Sequence, residues 1–412
     1  MSAAHPGRHR AARCLLAGLL ALAANCVQAA DAAREHREDF EQLWRAVDSQ
    51  YAYFDGVRAQ CRRGRDAARR RAEKARSRAE LVDALEASLQ CLHDDHVSLS
   101  ERTPRSPRRV PGETDLWARW KDGAAVIESV RVAGDADVAG VRPGEVVTHI
   151  DGVPVAKVVE RMLGGAGHPD EQARDWALRH ALAGPREGAF VLDLGGTSPR
   201  RVEIERRARA AAPATSILAR RMGEERDLGY VRLKNLEDAT LPGELDGALG
   251  YVKDTRALIV DLRDATSGSR AVTLGVLARF ARAEGPWQIL EGRDGKRSAD
   301  RVAPAPSGGY RGPVIVLVDR WTAGEGEALA AGLVAVANAR VIGTRMAGLR
   351  GELREARLPH SGIVARFAGE RTLLVDGTPR EALRPQVEID PAAPSGGPGD
   401  PILYQALKLL EK

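Results

Sequence analysis

The sequence lacks the short motifs that hold nucleotides, flavins or zinc. It contains no glycine-rich phosphate-binding loop, and His93 and His96 have no further ligands at the spacing of a zinc site. No cofactor and no metal ion is therefore expected.

The chain also lacks an apolar run long enough to cross a membrane, and its longest candidate lies near the N-terminus. The apolar run Cys14–Ala24 is shorter than the roughly 20 residues that a bilayer requires. Arginines precede this run, and Val27-Gln28-Ala29 places small residues at the cleavage offsets of a secretory signal. We therefore expect residues 1–29 to be a cleaved signal peptide, and the mature protein to lie in the periplasm or outside the cell. A membrane anchor, and a lipoprotein attached through Cys26, are less favoured alternatives.

Cysteine is scarce, and removal of the signal peptide leaves only Cys61 and Cys91. In an oxidising compartment, an isolated pair more often forms a disulfide than a metal site or a nucleophile. The bond would close a loop of about 30 residues, which the chain-entropy model values at roughly 3–4 kcal/mol. A Cys61–Cys91 disulfide is therefore predicted.

Strong net charge is absent as well, since the chain of 412 residues carries only +5. The basic excess is concentrated between residues 62 and 78, where arginines alternate with alanine and glutamate. This pattern is typical of a solvated helix face. Binding to an anionic membrane or to nucleic acid is the less favoured reading, and an exported protein rarely meets nucleic acid.

The length predicts about two to three domains. After the signal peptide, residues 30–109 form a helical region, residues 110–209 a β-rich unit, and residues 210–412 an alternation of strands and helices. In the helical region, apolar side chains recur at helical spacing and predict one buried stripe. Its members are Phe40, Leu43, Trp44, Val47 and Tyr51.

The most informative segment joins a strand to a helix. Val314–Val318 is a continuous apolar run that predicts a strand buried on both faces, and Glu327–Val336 has apolar residues at helical spacing. The turn between them reads Asp319-Arg320-Trp321-Thr322-Ala323-Gly324-Glu325-Gly326-Glu327. Backbone N–H groups at such a helix start, including that of Glu325, stabilise a developing oxyanion. Glu325 and Glu327 are interpreted as complementing the helix dipole.

This turn resembles that of the S41 peptidases, the tail-specific or C-terminal-processing proteases, in the bacterial branch that reads D-R-W-T-G-S-M-G-E-G. The nucleophilic serine of that pattern falls on Gly324. The segment 339–348 is similar to a second family run, R-A-x-V-V-G-E-x-T-x-G. In members with a Ser/Lys dyad the lysine follows this run, and here that position is Leu349. The resemblance implies a peptidase in which two catalytic positions are replaced.

Three further segments resemble the family. Residues 92–99 match L-x-D-x-H-[TV]-x-L, which makes His96 a candidate base, with bracing of the sheet edge as the alternative. Ala257–Arg263 predicts a buried strand before the family's glycine triplet, of which only Gly268 survives as a candidate contributor to the oxyanion hole. Residues 375–387 resemble the terminal segment, where Glu381 is a candidate for orienting the histidine.

Residues 139–155 resemble the A-G-[LV]-x-x-G-D-x-[IL]-x-x-[IV]-[DN]-G signature of PDZ domains, after a predicted strand at Ala125–Val130. PDZ domains bind an extended peptide along a sheet edge. A G-L-G-F type loop is not recognisable before Val126, so a PDZ-like spacer that binds nothing is the alternative. The expected fold is therefore an α/β peptidase core of the S41 type, with an N-terminal helical segment and an inserted PDZ-like β domain.

Two functions are consistent with these residues. The first is an exported serine peptidase that cuts C-terminal regions of unfolded or tagged proteins with another nucleophile, for which Ser267, Ser269 and Ser98 are candidates. The second is a non-catalytic relative that binds peptides or partner proteins through its PDZ-like domain and its vestigial cleft. Gly324 favours the second, because a glycine offers no side chain to attack a carbonyl.

Overall fold

The computed structural model describes residues 30–164, 170–186, 188–196, 198–205, 216–392 and 399–411. The predicted signal peptide, residues 1–29, lies outside the described residues. The chain divides into two compact units. The first takes the described residues up to Leu92, together with Val97–Ser106 and Glu355–Phe367, and the second takes the remainder.

The first unit is mainly helical. Helix α1 covers residues 30–50, α2 is Phe54–Glu73, α3 is Arg78–Leu89, and a 3-10 turn follows at Gln90–Leu92. The predicted apolar stripe is buried except at Trp44, which is partly exposed, with Phe40 at 1% exposure and Tyr51 at 0%. Strand β1, Ser98–Leu99, pairs antiparallel with the first residues of β16, Val364–Leu373. Cys61 in α2 and Cys91 in the 3-10 turn form a disulfide with an S–S distance of 2.04 Å.

The second unit contains an antiparallel sheet in the order β2-β3-β4-β6-β7, with β5 beside β4. These strands are β2 Leu116–Lys121, β3 Ala124–Val130, β4 Val146–Ile150, β5 Val153–Pro154, β6 Ala189–Gly195 and β7 Arg200–Glu205. Its helices are α4 Asp135–Val138, α5 Val155–Met162 and α6 Glu171–Ala183. Trp176 of α6 and Phe190 of β6 are central to its core. The inserted β-rich unit predicted for residues 110–209 corresponds to this sheet, and its PDZ character stays a prediction.

The larger sheet of the second unit has the order β17-β14-β13-β10-β9-β8 and is parallel except for β8. Its strands are β8 Ile217–Met222, β9 Leu228–Leu233, β10 Ala257–Asp261, β13 Val314–Val318, β14 Arg340–Gly343 and β17 Val387–Glu388. The helices of this region are α7 Leu241–Tyr251, α8 Arg270–Ala278, α9 Glu325–Ala337 and α10 Pro401–Leu410. Every residue of β10 and β13 is buried, because separate apolar clusters pack on the two faces of the sheet.

A hairpin of β11 Gly285–Gly292 and β12 Arg297–Val302 pairs through β11 with the second half of β16, and β15 Glu352–Arg357 also pairs with β16. A 3-10 turn at Arg380–Ala382 precedes β17. The predicted α/β class of the core is confirmed. Strand β10 ends two residues earlier than predicted, because the chain turns at Asp264, which adopts a φ of 65°.

Candidate active site

Strand β13 delivers the chain to a sharp turn at the carboxyl edge of the parallel sheet, where α/β proteins commonly bind ligands. Gly324 caps the N-terminus of α9 with φ 55° and ψ −113°. This left-handed conformation is strained for any residue with a side chain, and such strain is frequent at functional turns. The predicted strand-turn-helix is therefore present, with Gly324 at its corner.

Glu327 holds this turn in place. Its carboxylate accepts hydrogen bonds from the backbone N–H groups of Gly324 at 3.1 Å, Gly348 at 2.8 Å and Leu349 at 3.0 Å. Burial raises the pKa of Glu327, and the nearby Arg380 and these N–H donors oppose that rise. The interpretation of Glu327 as a dipole partner was incomplete, because its side chain is 1% exposed and joins the turn to the 348–349 segment.

His96 faces Gly324 although the two are far apart in the sequence. Its Nδ1 lies 2.7 Å from the carbonyl oxygen of Arg350, and its backbone N–H donates to Asp94. A Cβ built on Gly324 would lie 3.9 Å from His96 Nε2, and no other nearby atom outside its own turn comes within 4 Å. The structure thus brings together the candidate base and the position of the missing nucleophile.

The surroundings of His96 favour its neutral form. Burial lowers the pKa of His96 and Arg380 acts in the same direction, whereas the Arg350 carbonyl, Asp94 and Glu325 oppose them. A neutral imidazole carries one proton, and a carbonyl can only accept a hydrogen bond. The proton therefore lies on Nδ1, and Nε2 presents its lone pair to Gly324.

Gly268 packs against the start of α9. A Cβ on Gly268 would lie 2.6 Å from the Cβ of Glu325 and 2.7 Å from that of Leu236, so only glycine fits at this position. The Glu325 side chain is turned toward α8, where it accepts a hydrogen bond of 2.5 Å from the Thr273 hydroxyl. Gly268 and Glu325, the two candidate contributors to an oxyanion hole, therefore lie against each other, and Glu325 directly follows Gly324.

The structure also shows the surroundings of Leu349 and Glu381, the two remaining candidate site residues. Leu349 is 7% exposed, and its backbone N–H donates to Glu327. Glu381, in the 3-10 turn, lines a cavity together with Leu349 and Arg350. The group at His96 Nδ1 is the carbonyl of Arg350 rather than the Glu381 carboxylate. The orienting role suggested for Glu381 is therefore filled by a backbone atom, which no sequence pattern indicates.

A cavity of about 480 Å³ adjoins the turn at Glu327. Its walls come from the 93–95 segment, β2, α6, and the segments 345–350 and 381–384. Trp117 in this wall lies between two guanidinium groups, that of Arg179 at 4.8 Å and that of Arg320 at 5.1 Å from the ring centre. Arg179 pairs with Asp95 and Arg320 with Glu128, so the lining is rich in ion pairs.

The alternative nucleophiles have separate locations. Ser267 is exposed in the loop after β10, and Ser269 precedes α8 as its N-cap residue. Ser98 lies in β1 of the first unit. None of the three lies at the start of α9, where backbone N–H groups could stabilise an oxyanion. In the part of the chain that the structure describes, no helix is long and apolar enough to span a bilayer, and no group of three metal-ligating side chains occurs.

The fold is that of the C-terminal processing proteases. The photosystem II D1 C-terminal processing protease superposes with a TM-score of 0.56 at 20% identity, over 86% of this chain and 93% of that one. Mature CPAF gives 0.58 at 13% identity, over 92% and 97%. A putative peptidase from Parabacteroides merdae gives 0.51 at 17%, also over 92% and 97%.

At the level of sequence, residues 227–389 match the family model of peptidase family S41. This chain therefore carries an S41 peptidase domain, as its motifs predicted. The search among curated proteins gave no match.

Proposed function

We propose that this protein is an exported, peptide-binding S41 relative that has lost acyl-enzyme peptidase activity. The observation that carries the proposal is Gly324, which stands at the nucleophile position with its Cα facing His96 Nε2. In subtilisin, removal of the catalytic serine costs on the order of 10⁶ in rate. This site therefore lacks the side chain that covalent catalysis of peptide-bond cleavage requires.

Peptide binding is supported by the cavity beside the turn. Its volume of about 480 Å³ suits several side chains, and its walls combine charged groups with apolar Met346, Leu349 and Leu383. The edge of β2 is the less favourable surface for binding a peptide strand, because the backbone N–H of Trp120 already donates to the Asp175 carboxylate of α6 at 2.7 Å. We therefore assign unfolded or C-terminal peptide segments to the cavity rather than to strand addition at Trp120.

The peptidase part of the proposal is tested by incubating the purified mature chain with an unfolded protein and reading the products by mass spectrometry. No cleavage is expected from the natural chain. Gly324→Ser is expected to restore cleavage at discrete sites, and Gly324→Ser/His96→Ala to abolish it again. Discrete cleavage by the natural chain that disappears in Ser267→Ala/Ser269→Ala would replace this proposal by a relocated nucleophile.

The binding part is tested by fluorescence anisotropy with labelled peptides from the same unfolded protein. Ala382 is exposed at the cavity wall, so Ala382→Trp should obstruct the cavity and weaken binding at least tenfold. Ala299→Trp adds the same side chain at an exposed position of β12 and should leave binding unchanged. Equal peptide affinities of the two variants would show that peptides do not bind in the cavity.

Export is tested by the N-terminal mass of the protein recovered from the periplasm or culture medium. Cleavage after Ala29 would leave Ala30 as the first residue. Recovery of the intact N-terminus from the cytoplasm would contradict export.

A further inference from the structure

The turn at Gly324 leaves room for a small molecule in contact with a histidine. The site where a Cβ would stand is 3.9 Å from His96 Nε2 and has no nearer neighbour outside the turn. A water at hydrogen-bonding distance from Nε2, about 2.9 Å, must also stay clear of the Gly324 Cα and therefore lies to one side of this Cβ site. A serine hydroxyl at this position would compete with that water for Nε2.

His96 has the correct polarity to receive a proton from such a water. The Arg350 carbonyl, 2.7 Å from Nδ1, holds the ring proton on that nitrogen. The unprotonated Nε2 therefore accepts from a donor and does not offer one to an anion. A hydroxyl-bearing ligand or water fits this acceptor.

The start of α9, next to Gly324, offers donors. The first N–H groups of a helix have no partner within the helix, and α9 begins at Glu325 immediately after Gly324. Gly268 brings a second backbone segment against Glu325. An acyl group whose carbonyl oxygen points to these backbones would place its carbon beside a water held by His96.

We propose that this site hydrolyses activated carboxylic esters and thioesters by direct attack of a water for which His96 is the general base. The water oxygen bonds to the acyl carbon while one of its protons passes to Nε2. The tetrahedral intermediate then breaks its bond to the leaving oxygen or sulfur, which takes the proton back from Nε2. The products are a carboxylic acid and an alcohol or thiol, so that protons and electrons balance.

Activated esters are the substrate class because their leaving groups depart readily. An amide is a less reactive acyl donor and expels a strongly basic amine, which must be protonated as it leaves. Serine hydrolases that have lost their nucleophile still retain roughly 10³–10⁴ of rate over water. That residual rate is sufficient for an ester with a phenol or thiol leaving group. This activity goes beyond peptide binding and does not depend on it.

The test follows hydrolysis of p-nitrophenyl acetate by the purified mature chain. His96→Gln is expected to lower kcat/KM at least 100-fold. Gly324→Ala is expected to lower it at least tenfold, because its methyl group crowds the water between residue 324 and His96. Gly377→Ala supplies the matched control, since Gly377 also has a positive φ, 88°, and a Cβ there meets nothing within 4 Å. It should retain the natural rate.

Acylation distinguishes this mechanism from a covalent one. Rapid quenching and mass spectrometry should find no acetylated enzyme in the natural chain during turnover, whereas Gly324→Ser should accumulate one acetyl group on residue 324. An acetylated serine in the natural chain, or equal rates for the natural chain and His96→Gln, would overturn the proposal. Peptide affinity, measured in parallel, reports separately on the proposed binding function.

Discussion

At the scale of single residues, Asp319 makes stability depend on pH. Its Oδ1 accepts the N–H groups of Trp321 at 2.9 Å and Asp264 at 3.3 Å. Burial, with a further contribution from the charge of Asp264, raises the pKa of Asp319 from 3.8 to about 7. A carboxyl with a raised folded pKa stabilises the fold fully below its unfolded pKa, and this contribution is lost as the pH rises through the folded value.

We therefore predict that Asp319→Asn flattens the pH dependence of stability. Between pH 5 and pH 7, the natural chain should lose about 2–3 kcal/mol more free energy of unfolding than the variant. Urea unfolding at pH 5, 6, 7 and 8 measures this difference. Asp376→Asn is the control, because Asp376 is exposed and has a lowered pKa, so its titration lies below this range. Parallel profiles for the natural chain and Asp319→Asn would contradict the assignment.

The sequence indicated which residues lie at this turn better than it indicated how they interact. Gly324 was identified from the pattern of its turn, because strand, turn and helix are local features. Its proximity to His96 depends on the packing of distant segments, and only the family resemblance suggested it. The roles of the Arg350 carbonyl and of Glu327 were not predicted, since a backbone acceptor leaves no trace in residue type. A glutamate three residues after the helix cap was the available signal for Glu327.

At the scale of elements, the start of α9 depends on close contact with the loop after β10. A Cβ on Gly326 would lie 2.4 Å from the carbonyl oxygen of Ala265, and Ala323 donates its N–H to that same oxygen at 2.9 Å. Such a Cβ would push the helix start away from the loop. Gly243 in the first turn of α7 is a matched position, since a Cβ there meets nothing within 4 Å.

We predict opposite effects of alanine at these two positions. Gly326→Ala should lower the free energy of unfolding by about 1–3 kcal/mol through overpacking. Gly243→Ala should raise it by about 0.5–1 kcal/mol, because alanine is the better helix former. Urea unfolding of both variants measures the two shifts. A stabilising Gly326→Ala would show that the contact between α9 and the loop is not tight.

Elements that are buried on both faces were the easiest to predict. Strand β13 has the predicted bounds, because a continuous β-branched and apolar run has few alternatives. Helix α9 begins two residues before its predicted apolar run, at Glu325, because the glycine cap rather than apolar spacing sets the start. The end of β10 was predicted two residues too late, because the apolar pattern does not reveal that the chain turns at Asp264 with a positive φ.

At the scale of the whole second unit, the antiparallel sheet is attached to the α/β sheet through the turn before the candidate site. The indole N–H of Trp321 donates to the Thr114 carbonyl at 2.8 Å. Arg131 of the segment after β3 pairs with Asp264 at 3.0 Å. The sequence led us to expect an inserted β unit, and its limits as a domain stay a prediction. These attachments were not predictable, because each pairs residues that are distant along the chain.

Arg320 and Glu128 form a second ion pair between the two sheets, which is more buried than that of Arg131 and Asp264. Their atoms approach to 2.6 Å, and the side chains are 9% and 21% exposed. Arg320 also donates to the Met346 carbonyl at 3.0 Å, and burial lowers its pKa. Loss of one partner from such a pair leaves an uncompensated charge in the protein interior, which is more costly than loss of both.

We accordingly predict that Glu128→Ala lowers the free energy of unfolding by about 3–5 kcal/mol, whereas Glu128→Leu/Arg320→Met recovers most of this loss. Asp193→Ala is the control, because its partner Arg201 is 69% exposed and an ion pair at the surface contributes far less to stability than a buried one. Urea unfolding gives the stabilities, and peptide affinity of the same variants shows whether the cavity wall at Trp117 depends on this pair. Equal losses for Glu128→Ala and Asp193→Ala would mean that water reaches Arg320 and that the two sheets are held together chiefly by their apolar contacts and backbone hydrogen bonds.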